Sequence, residues 1–483
     1  MNALDRVEIS GGFAILVVCV PVGILLVFNP VAALGLTSGL AVLGIIGVRR
    51  EKSWLDLLLA GFACALALGY GFANIGFRAE SLAFPIPLSA VFLLVMLGRA
   101  VATAQWEDRV PPPVILVLPL LSLALVRLWV DYPNWGTAAI RDFTLPLESA
   151  WLFVGYQMMR VFGVRRLIRG LRWVFLALLA YSALRPWYPQ LAQAGPTVGL
   201  QSSVPLLGHV AGLGSAAAAG LFFFALVRPT RASYVLAAAF VPTIALDQFR
   251  GVYLAVLAAF LVSWLISRRF RAARPTRGLV GALTLGVLGL AVLFPFAPQG
   301  RVSRVTPTNV ASQIGTLVGQ EWEGASGLGL RMEWVRDVVD EVRSHDYGLL
   351  VGVGLGPDLA GGFRSEFSPV FVRKPHNDYL EVFGRLGIPG LALFLTLVGV
   401  PLMRIARATR RARDSEARYL MWALAMSIGY LVVAATQPIL AYPSGTMPLF
   451  IGLGSGLALA EKFTHTSGDS APRRPAQSKG LRA

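Results

Sequence analysis

The sequence predicts an all-α polytopic membrane protein with about fourteen (twelve to fourteen) transmembrane helices and one large outward-facing loop. Three observations predict this class: the share of apolar residues, a series of membrane-length apolar segments, and basic residues grouped in alternate loops. Of the 483 residues, 55% are hydrophobic and 14% are charged. Soluble domains carry about 25% charged residues, so the chain is too apolar for a soluble domain.

Apolar segments of membrane length recur along the chain. A helix needs about 20 mostly apolar residues to cross a hydrocarbon core about 30 Å thick. The predicted spans are 9–28, 31–48, 54–73, 84–98, 112–130, 143–159, 173–187, 207–227, 232–248, 251–267, 278–297, 386–403, 419–436 and 446–461. We expect the first span to be retained, because its apolar run is longer than that of a cleaved signal peptide.

Basic residues gather in loops that fall on one side of the membrane in this arrangement. These loops are 49–52, 160–172, 228–231, 267–277 and 404–418, together with the tail after 461. Cytoplasmic loops are enriched in Lys and Arg, so both termini are predicted to be cytoplasmic. The net charge of +17 is therefore interpreted as a signal of topology and of contact with membrane lipids, and no nucleic-acid partner is expected.

The chain is predicted to have four regions. They are a transmembrane bundle of about eleven helices (1–297), a periplasmic loop (298–383), the last transmembrane helices (384–461) and a disordered cytoplasmic tail (462–483). The loop holds eight basic and eleven acidic residues, so it lacks the basic excess of the cytoplasmic side.

One segment of the periplasmic loop has a helical pattern. Residues 331–343 place apolar side chains at helical spacing with charges opposite them, at Met332, Val335, Val338, Val339 and Val342. Such a pattern predicts an amphipathic helix. We expect it to lie on the membrane surface or to cap a cavity.

Charged and polar residues lie near the outer ends of several predicted spans. They are Arg127, Arg141, Asp142, Glu148, Arg185, His209, Asp247 and Arg250. Charged groups at membrane depth usually face a protein interior or an aqueous cavity and pair there. For the arginines at 127, 141 and 185, the alternative is a side chain that extends to the interface. Asp247 and Arg250 lie at a turn between two spans, where they either pair with each other or serve a ligand.

The segment 373–390, RKPHNDYLEVFGRLGIPG, sets polar residues directly before a span. His376 lies beside Asn377, Asp378 and Glu381, and Pro375 with the polar residues after it predicts a helix start near 376. Histidine titrates near neutral pH and can accept a proton from a hydroxyl, and a neighbouring carboxylate could orient its ring. The alternative is a histidine that only caps the helix. His209 and His345 are weaker candidates, and His465 lies in the tail.

Two further motifs lie in the periplasmic loop. Arg331 opens the amphipathic segment, and its guanidinium suits phosphate oxygens, although it could also be an ordinary solvated charge. The glycine-rich stretch VGVGLGPD at 351–358 is similar in composition to a phosphate-binding loop. No βαβ pattern surrounds it, so a turn is predicted instead. Cys19 and Cys64 lie in predicted spans and indicate neither a disulfide nor a metal site.

Taken in order, these motifs resemble the O-antigen ligase and O-antigen polymerase superfamily. They are FRGVYLAV at a turn between spans, R-x-x-W formed by Arg331 and Trp334, GVGLG, and PHNDYLEVFGRLGIPGLALF at the start of a span. The resemblance covers about 232–405. It implies a membrane-embedded glycosyltransferase of the C type without metal or cofactor, in the bacterial inner membrane, with its site facing the periplasm. Such enzymes move a glycan from an undecaprenyl-diphosphate carrier to an acceptor hydroxyl. The acceptor is the lipid A core for ligases, a carrier-linked glycan for polymerases, and a protein serine for a related branch.

The resemblance also implies roles for individual residues. Arg250 and Arg331 would contact the carrier diphosphate, and His376 would be the essential loop histidine and the general base. Asp247, Asn377, Asp378 and Glu381 are predicted to support them. Two residues differ from the common pattern, because Phe249 and Asn377 stand where many members have serine, and this favours a polymerase over a ligase. The alternatives are a lipid-linked oligosaccharide flippase or other transporter, and a non-enzymatic scaffold.

Overall fold

The computed structural model describes most of the chain as helix, which confirms an all-α membrane protein. The described residues are 51–77, 86–104, 110–198, 204–208, 212–269, 274–296, 300, 304–315, 327–359 and 374–463. The predicted spans 9–28 and 31–48, with Cys19, His209 and the tail beyond residue 463, lie outside them. Two short antiparallel pairs accompany the described helices, β1 (Gly76–Phe77) with β2 (Ile86–Pro87) and β3 (Thr197–Val198) with β4 (Val204–Pro205).

The first half of the described chain is built from helices of very different length. They are α1 (Glu51–Leu68), α2 (Tyr70–Ala73), α3 (Leu88–Thr103), α4 (Pro112–Trp135), α5 (Thr137–Asp142), α6 (Thr144–Glu148), α7 (Trp151–Ala183) and α8 (Tyr188–Ala194). Proline at the start of α4 suits a first helical turn, where the missing N–H is not needed.

Helix α7 corrects one expectation. It joins the predicted spans 143–159 and 173–187, and the basic segment 160–172 between them is helical, so the prediction of a loop there is wrong. The helix is interrupted at Gly163, where φ is 70° and ψ is 165°, a conformation that glycine adopts at little cost. Leu167, Ile168 and Leu171 are buried and supply an apolar face at helical spacing, so the helix continues through the arginines.

The second half carries the region that resembles the ligases. Its helices are α9 (Leu213–Phe222), α10 (Arg231–Ala238), α11 (Phe240–Asp247), α12 (Arg250–Arg269), α13 (Arg274–Leu293), α14 (Pro307–Gly315), α15 (Gly327–Ser344), α16 (Gly348–Val351), α17 (Asp378–Thr409), α18 (Asp414–Ala434) and α19 (Pro443–Glu461). A π-helical segment, Phe223–Val227, continues α9, and a 3-10 turn, Ile439–Ala441, joins α18 to α19.

Within the described residues, five helices are long and apolar enough to cross a membrane. They are Pro112–Trp135, Arg250–Ser267, Gly278–Phe296, Asp378–Thr409 and Asp414–Ala434. A sixth is possible if the bent pair Thr137–Ala183 and Tyr188–Ala194 forms one span, and shorter apolar helices cover Trp54–Leu68, Leu88–Thr103 and Leu213–Val227. The number fourteen therefore stays a prediction.

Helix α19 lies at the centre of the bundle, with nearly all of its residues buried. It packs against α7, α17 and α18. Small residues allow a close approach to α7: a Cβ at Gly454 would lie 1.9 Å from the Leu152 carbonyl oxygen, and one at Gly155 would lie 2.5 Å from the Ile451 carbonyl oxygen. Close backbone contact through small residues is how membrane helices associate without a hydrophobic driving force between them.

Helix α15 confirms the amphipathic segment and corrects part of its apolar face. Trp334, Val338 and Val342 are buried, whereas Met332 is 52% exposed, so its assignment to the buried face is wrong. The buried face packs against Leu359 and the beginning of α17. This helix therefore packs on the bundle through its apolar face, because the start of α17 offers apolar side chains to it.

Candidate active site

The His376 segment is held in a defined conformation directly before α17. The backbone of His376 has φ of 46°, a left-handed conformation that is uncommon outside glycine and costs about 1–3 kcal/mol. Asn377 is the N-cap, and its side-chain Oδ1 accepts hydrogen bonds from the backbone N–H groups of Tyr379 at 3.0 Å and Leu380 at 3.1 Å. The predicted helix start is thus displaced by two residues, because the capping side chain is Asn377.

The ring of His376 stacks on the indole of Trp334. Their ring centroids are 5.1 Å apart and the planes are inclined by 14°. Trp334 is buried in α15, so the contact ties the loop helix to the segment before α17. The stack restricts the plane of the imidazole while leaving its nitrogens at the ring edge.

The carboxylates beside His376 contact other groups. Asp378 is buried, and its Oδ2 accepts a hydrogen bond from the Leu440 N–H at 2.9 Å. Glu381 forms ion pairs through Oε1 with Arg385 Nε at 3.2 Å and Lys374 Nζ at 3.4 Å. The expectation that a carboxylate orients the His376 ring stays a prediction. The contacts described for these two residues position the segment instead.

The turn that bears Arg250 has the predicted form. Helix α11 ends at Asp247, Gln248 adopts a left-handed conformation with φ of 52°, and α12 begins at Arg250. Arg250 is partly buried and forms no hydrogen bond or ion pair with other described residues, Asp247 included. Its donors are thus available to a ligand. Asp247 itself is buried, beside Gly214, where an added Cβ would lie 2.2 Å from its Oδ2.

The Arg250 turn and the His376 segment lie at the same end of the bundle. A Cβ at Gly251 would lie 2.2 Å from Thr436 Oγ1, so the turn packs on the connection between α18 and α19. The same connection donates the Leu440 N–H to Asp378 at 2.9 Å. The Tyr379 hydroxyl donates to the Leu431 carbonyl oxygen in the last turn of α18, 2.9 Å away. One connection therefore joins the first turns of α12 and α17.

Arg331 lies in α15, one turn before Trp334. The helix therefore brings position 331 to the part of the loop that carries the Trp334–His376 stack. The side chain of Arg331 lies outside the described part of the structure, so its contact with a ligand stays a prediction.

Arg385 is a central residue that the sequence reasoning missed. Its side chain is 2% exposed and forms ion pairs with Asp142 Oδ2 at 3.0 Å and Glu381 Oε1 at 3.2 Å. Its Nη1 donates to the carbonyl oxygens of Gly354 at 3.2 Å and Pro357 at 2.6 Å. One arginine thus joins α5, α17 and the glycine-rich loop. The available signal was the spacing Glu381 to Arg385, which pairs charges on one helix face.

The glycine-rich loop is bound by carboxylates of the bundle. Leu355 N–H donates to Asp131 Oδ2 at 2.7 Å, and Gly356 N–H donates to Asp142 Oδ2 at 2.9 Å. Asp131 also pairs with Arg127 Nε at 3.3 Å. These two N–H groups are occupied by protein carboxylates, which agrees with a structural turn rather than a phosphate-binding loop.

The connection before α19 adds an aromatic pair to this end of the bundle. The rings of Tyr70 and Tyr442 meet edge to face with centroids 5.2 Å apart. Burial, followed by the neighbouring Tyr70 hydroxyl, raises the pKa of the Tyr442 hydroxyl above its ordinary value. Among the described residues, no group of three or more His, Cys, Asp or Glu side chains is placed to hold a metal ion.

Comparison with known families agrees with the motifs. The model of the family described as O-antigen ligase (Wzy_C) matches residues 235–395. This stretch is about a third of the chain and contains Arg250, Arg331, His376 and Arg385. The match confirms the resemblance predicted from the sequence. No curated protein matches the chain at a significant level.

Proposed function

We propose that this chain, whose residues 235–395 match the O-antigen ligase family model, transfers a glycan from an undecaprenyl-diphosphate carrier to an acceptor hydroxyl. The reaction is metal-independent and inverts the anomeric carbon in a single displacement. One observation carries the proposal. Within the matched region, the stacked His376 ring lies at the same end of the bundle as Arg250, whose guanidinium has no partner among the described residues.

His376 is the general base of this reaction. The acceptor hydroxyl must lose a proton as its oxygen attacks the anomeric carbon, and an imidazole nitrogen accepts that proton near neutral pH. Stacking on Trp334 at 5.1 Å supports the assignment, because a base is effective only when its nitrogen is held towards the hydroxyl.

Arg250 and Arg331 stabilise the leaving group. As the bond from sugar to diphosphate breaks, negative charge grows on the diphosphate, and fixed cationic donors lower the energy of that transition state. Guanidinium groups suit this role because their planar donors bind phosphate oxygens in pairs. Arg250 lies in the first turn of α12, where the helix dipole also favours an anion.

The acceptor is a second carrier-linked glycan in a polymerase or the lipid A core in a ligase. Phe249 and Asn377, which stand where serine is common, favour the polymerase. The site faces the periplasm of a bacterial inner membrane, because the basic loops mark the other side as cytoplasmic.

Reconstitution tests the activity directly. Purified protein in liposomes receives carrier-linked glycan and an acceptor, and products are separated by size. We expect longer or ligated glycan, with activity retained in EDTA. Movement of carrier lipid between leaflets without any new glycosidic bond would instead identify a flippase, and activity lost in EDTA and restored only by a divalent ion would contradict the metal-free reaction.

Arg250→Ala is expected to weaken binding of the donor diphosphate about tenfold to a hundredfold. A hydrogen bond to a charged group contributes about 1.5–3 kcal/mol, and each 1.4 kcal/mol corresponds to a factor of about ten. The measurement is the KM for the donor in the liposome assay. Arg336→Ala is the matched control, because Arg336 is an exposed arginine of α15. Equal donor KM in the two variants would show that Arg250 does not bind the diphosphate.

A further inference from the structure

Helix α16 and the residue before it expose large apolar side chains in succession. The exposed fractions are 78% for Tyr347, 45% for Leu349, 59% for Leu350 and 37% for Val351. We call these four residues the 347–351 patch. An apolar run of this kind outside a membrane span indicates a surface that contacts a partner.

The 347–351 patch lies against the break in α17. At Gly387, where φ is 66°, an added Cβ would lie 2.8 Å from the Leu349 carbonyl oxygen and 2.8 Å from the Leu350 carbonyl carbon. The next residue of α17, Ile388, is 52% exposed. The patch therefore lies next to Ile388, the first exposed apolar residue after the break in α17, and α17 is long enough to cross a membrane.

The exposed face of α17 continues away from the patch. Leu395 is 47% exposed and Met403 is 53% exposed. Leu395 lies seven residues after Ile388, and Met403 lies eight residues after Leu395, so all three are on one helix face. An apolar, exposed face on a membrane span is the face that contacts lipid. The patch extends that face beyond the span.

The neighbouring helix α15 buries its apolar residues, in contrast to α16. Its apolar residues Trp334, Val338 and Val342 are buried against the bundle, whereas the apolar side chains of α16 remain uncovered. Tyr347 combines an aromatic ring with a hydroxyl, which suits the boundary between acyl chains and headgroups. The charged residues Arg343 and Asp346 precede the patch and are exposed, as expected at the aqueous side of that boundary.

We propose that the 347–351 patch inserts into the membrane at the level of the lipid headgroups and anchors the large loop to the bilayer. The Val353 N–H, two residues after the patch, donates to the Gly384 carbonyl oxygen at 2.7 Å. The anchor therefore fixes the height of the glycine-rich loop and of the first turns of α17 above the bilayer. The insertion depends on exposed apolar area and does not depend on glycosyl transfer.

Fluorescence from single positions tests the anchor. Cys19 and Cys64 are replaced by alanine, and Leu350→Cys is labelled with an environment-sensitive probe in the full-length protein. The protein is reconstituted in phosphatidylcholine and phosphatidylglycerol vesicles with lipids that carry quenchers at headgroup depth. Two further positions serve as references. Leu395→Cys on α17 is the lipid-facing reference.

Glu341→Cys is the aqueous reference, because Glu341 is an exposed residue of α15. Tyr347→Cys provides a second position in the patch if the Leu350 variant is poorly produced.

We expect the probe at 350 to show blue-shifted emission, quenching by the headgroup-depth lipids and protection from aqueous iodide. The probe at 341 should show iodide quenching alone. If the probe at 350 behaves like the one at 341, the patch is in water and the proposal is wrong. If it is shielded from iodide but not quenched by lipid, and energy transfer between labelled copies rises with protein density, a second copy of the chain covers the patch and the bilayer does not.

Discussion

Replacing His376 with alanine is expected to lower the rate of glycan transfer by about 10²-fold to 10⁴-fold, the usual contribution of a general base. The donor KM should change little, because the proposed diphosphate contacts belong to Arg250 and Arg331. The measurement is turnover in reconstituted liposomes, with donor and acceptor concentrations varied separately. A loss confined to turnover would separate a catalytic group from a residue that only caps α17, since Asn377 rather than His376 bonds the first N–H groups of that helix.

His345→Ala is the matched control for this experiment. His345 lies in the same loop region, 46% exposed, and its Nδ1 is 3.8 Å from Glu341 Oε1. Its removal should leave turnover unchanged, so the pair of variants compares two histidines that differ in position and not in type. Full activity of the His376 variant at matched expression would refute the general-base role.

A substitution of Trp334 is expected to cause a smaller loss of turnover. Trp334→Leu keeps an apolar side chain in the buried position but removes the flat surface on which the His376 ring lies at 14°. We expect turnover to fall less than in His376→Ala, because the imidazole is still present but less restricted.

Local signals in the sequence predicted the elements that carry the proposed site. Asn377 lies two residues after Pro375 and precedes a long apolar run, and that pattern located the start of α17 within two residues. The interruption of an apolar stretch at Asp247 and Arg250 located the turn between α11 and α12. In both cases the signal depends on residues that are neighbours in the chain.

The carboxylates that hold the loop could not be predicted in the same way. Asp131 accepts from Leu355, a residue 224 positions away, and Asp142 accepts from Gly356, 214 positions away. Such pairings depend on how the helices assemble, and a single sequence contains no direct record of them. The sequence singled out Asp142 among the charged residues near the outer ends of predicted spans, but it could not name Arg385 as the partner.

The basic segment 160–172 shows a different limit. A cluster of arginines predicts a cytoplasmic loop from charge alone. The buried Leu167 and Leu171 show that an amphipathic helix satisfies the same composition, with arginines in solvent and leucines against the bundle. The cluster of arginines therefore did not predict that the backbone of this segment is helical.

Replacing Arg385 with methionine is expected to destabilise the folded protein by about 3–5 kcal/mol. Methionine retains much of the side-chain volume, so the effect arises from charge. The variant leaves the buried Asp142 and Glu381 carboxylates without their shared cation, and removing one partner of a buried ion pair costs about this amount. The carbonyl oxygens of Gly354 and Pro357 lose their donor in the same step. The measurement is the free energy of unfolding in detergent micelles, with Arg336→Ala as the exposed-arginine control.

A double-mutant cycle determines whether the loss comes from the Arg385–Asp142 pair. Asp142→Asn keeps the shape of the side chain and an oxygen that can accept from Gly356 N–H, and it removes the charge 3.0 Å from Arg385. Because the two residues are in contact, the double variant should be more stable than the sum of the single losses predicts, by about 0.5–3 kcal/mol. The free energy of unfolding of Arg385→Lys should lie between those of the wild type and Arg385→Met. An ammonium group restores the charge, but it lacks the planar set of donors with which the guanidinium contacts Asp142, Glu381 and two carbonyl oxygens. Additive losses in the cycle would show that Arg385 stabilises the protein through Glu381 and the loop carbonyl oxygens and not through Asp142. The ion pair with α5 would then contribute nothing to holding the glycine-rich loop.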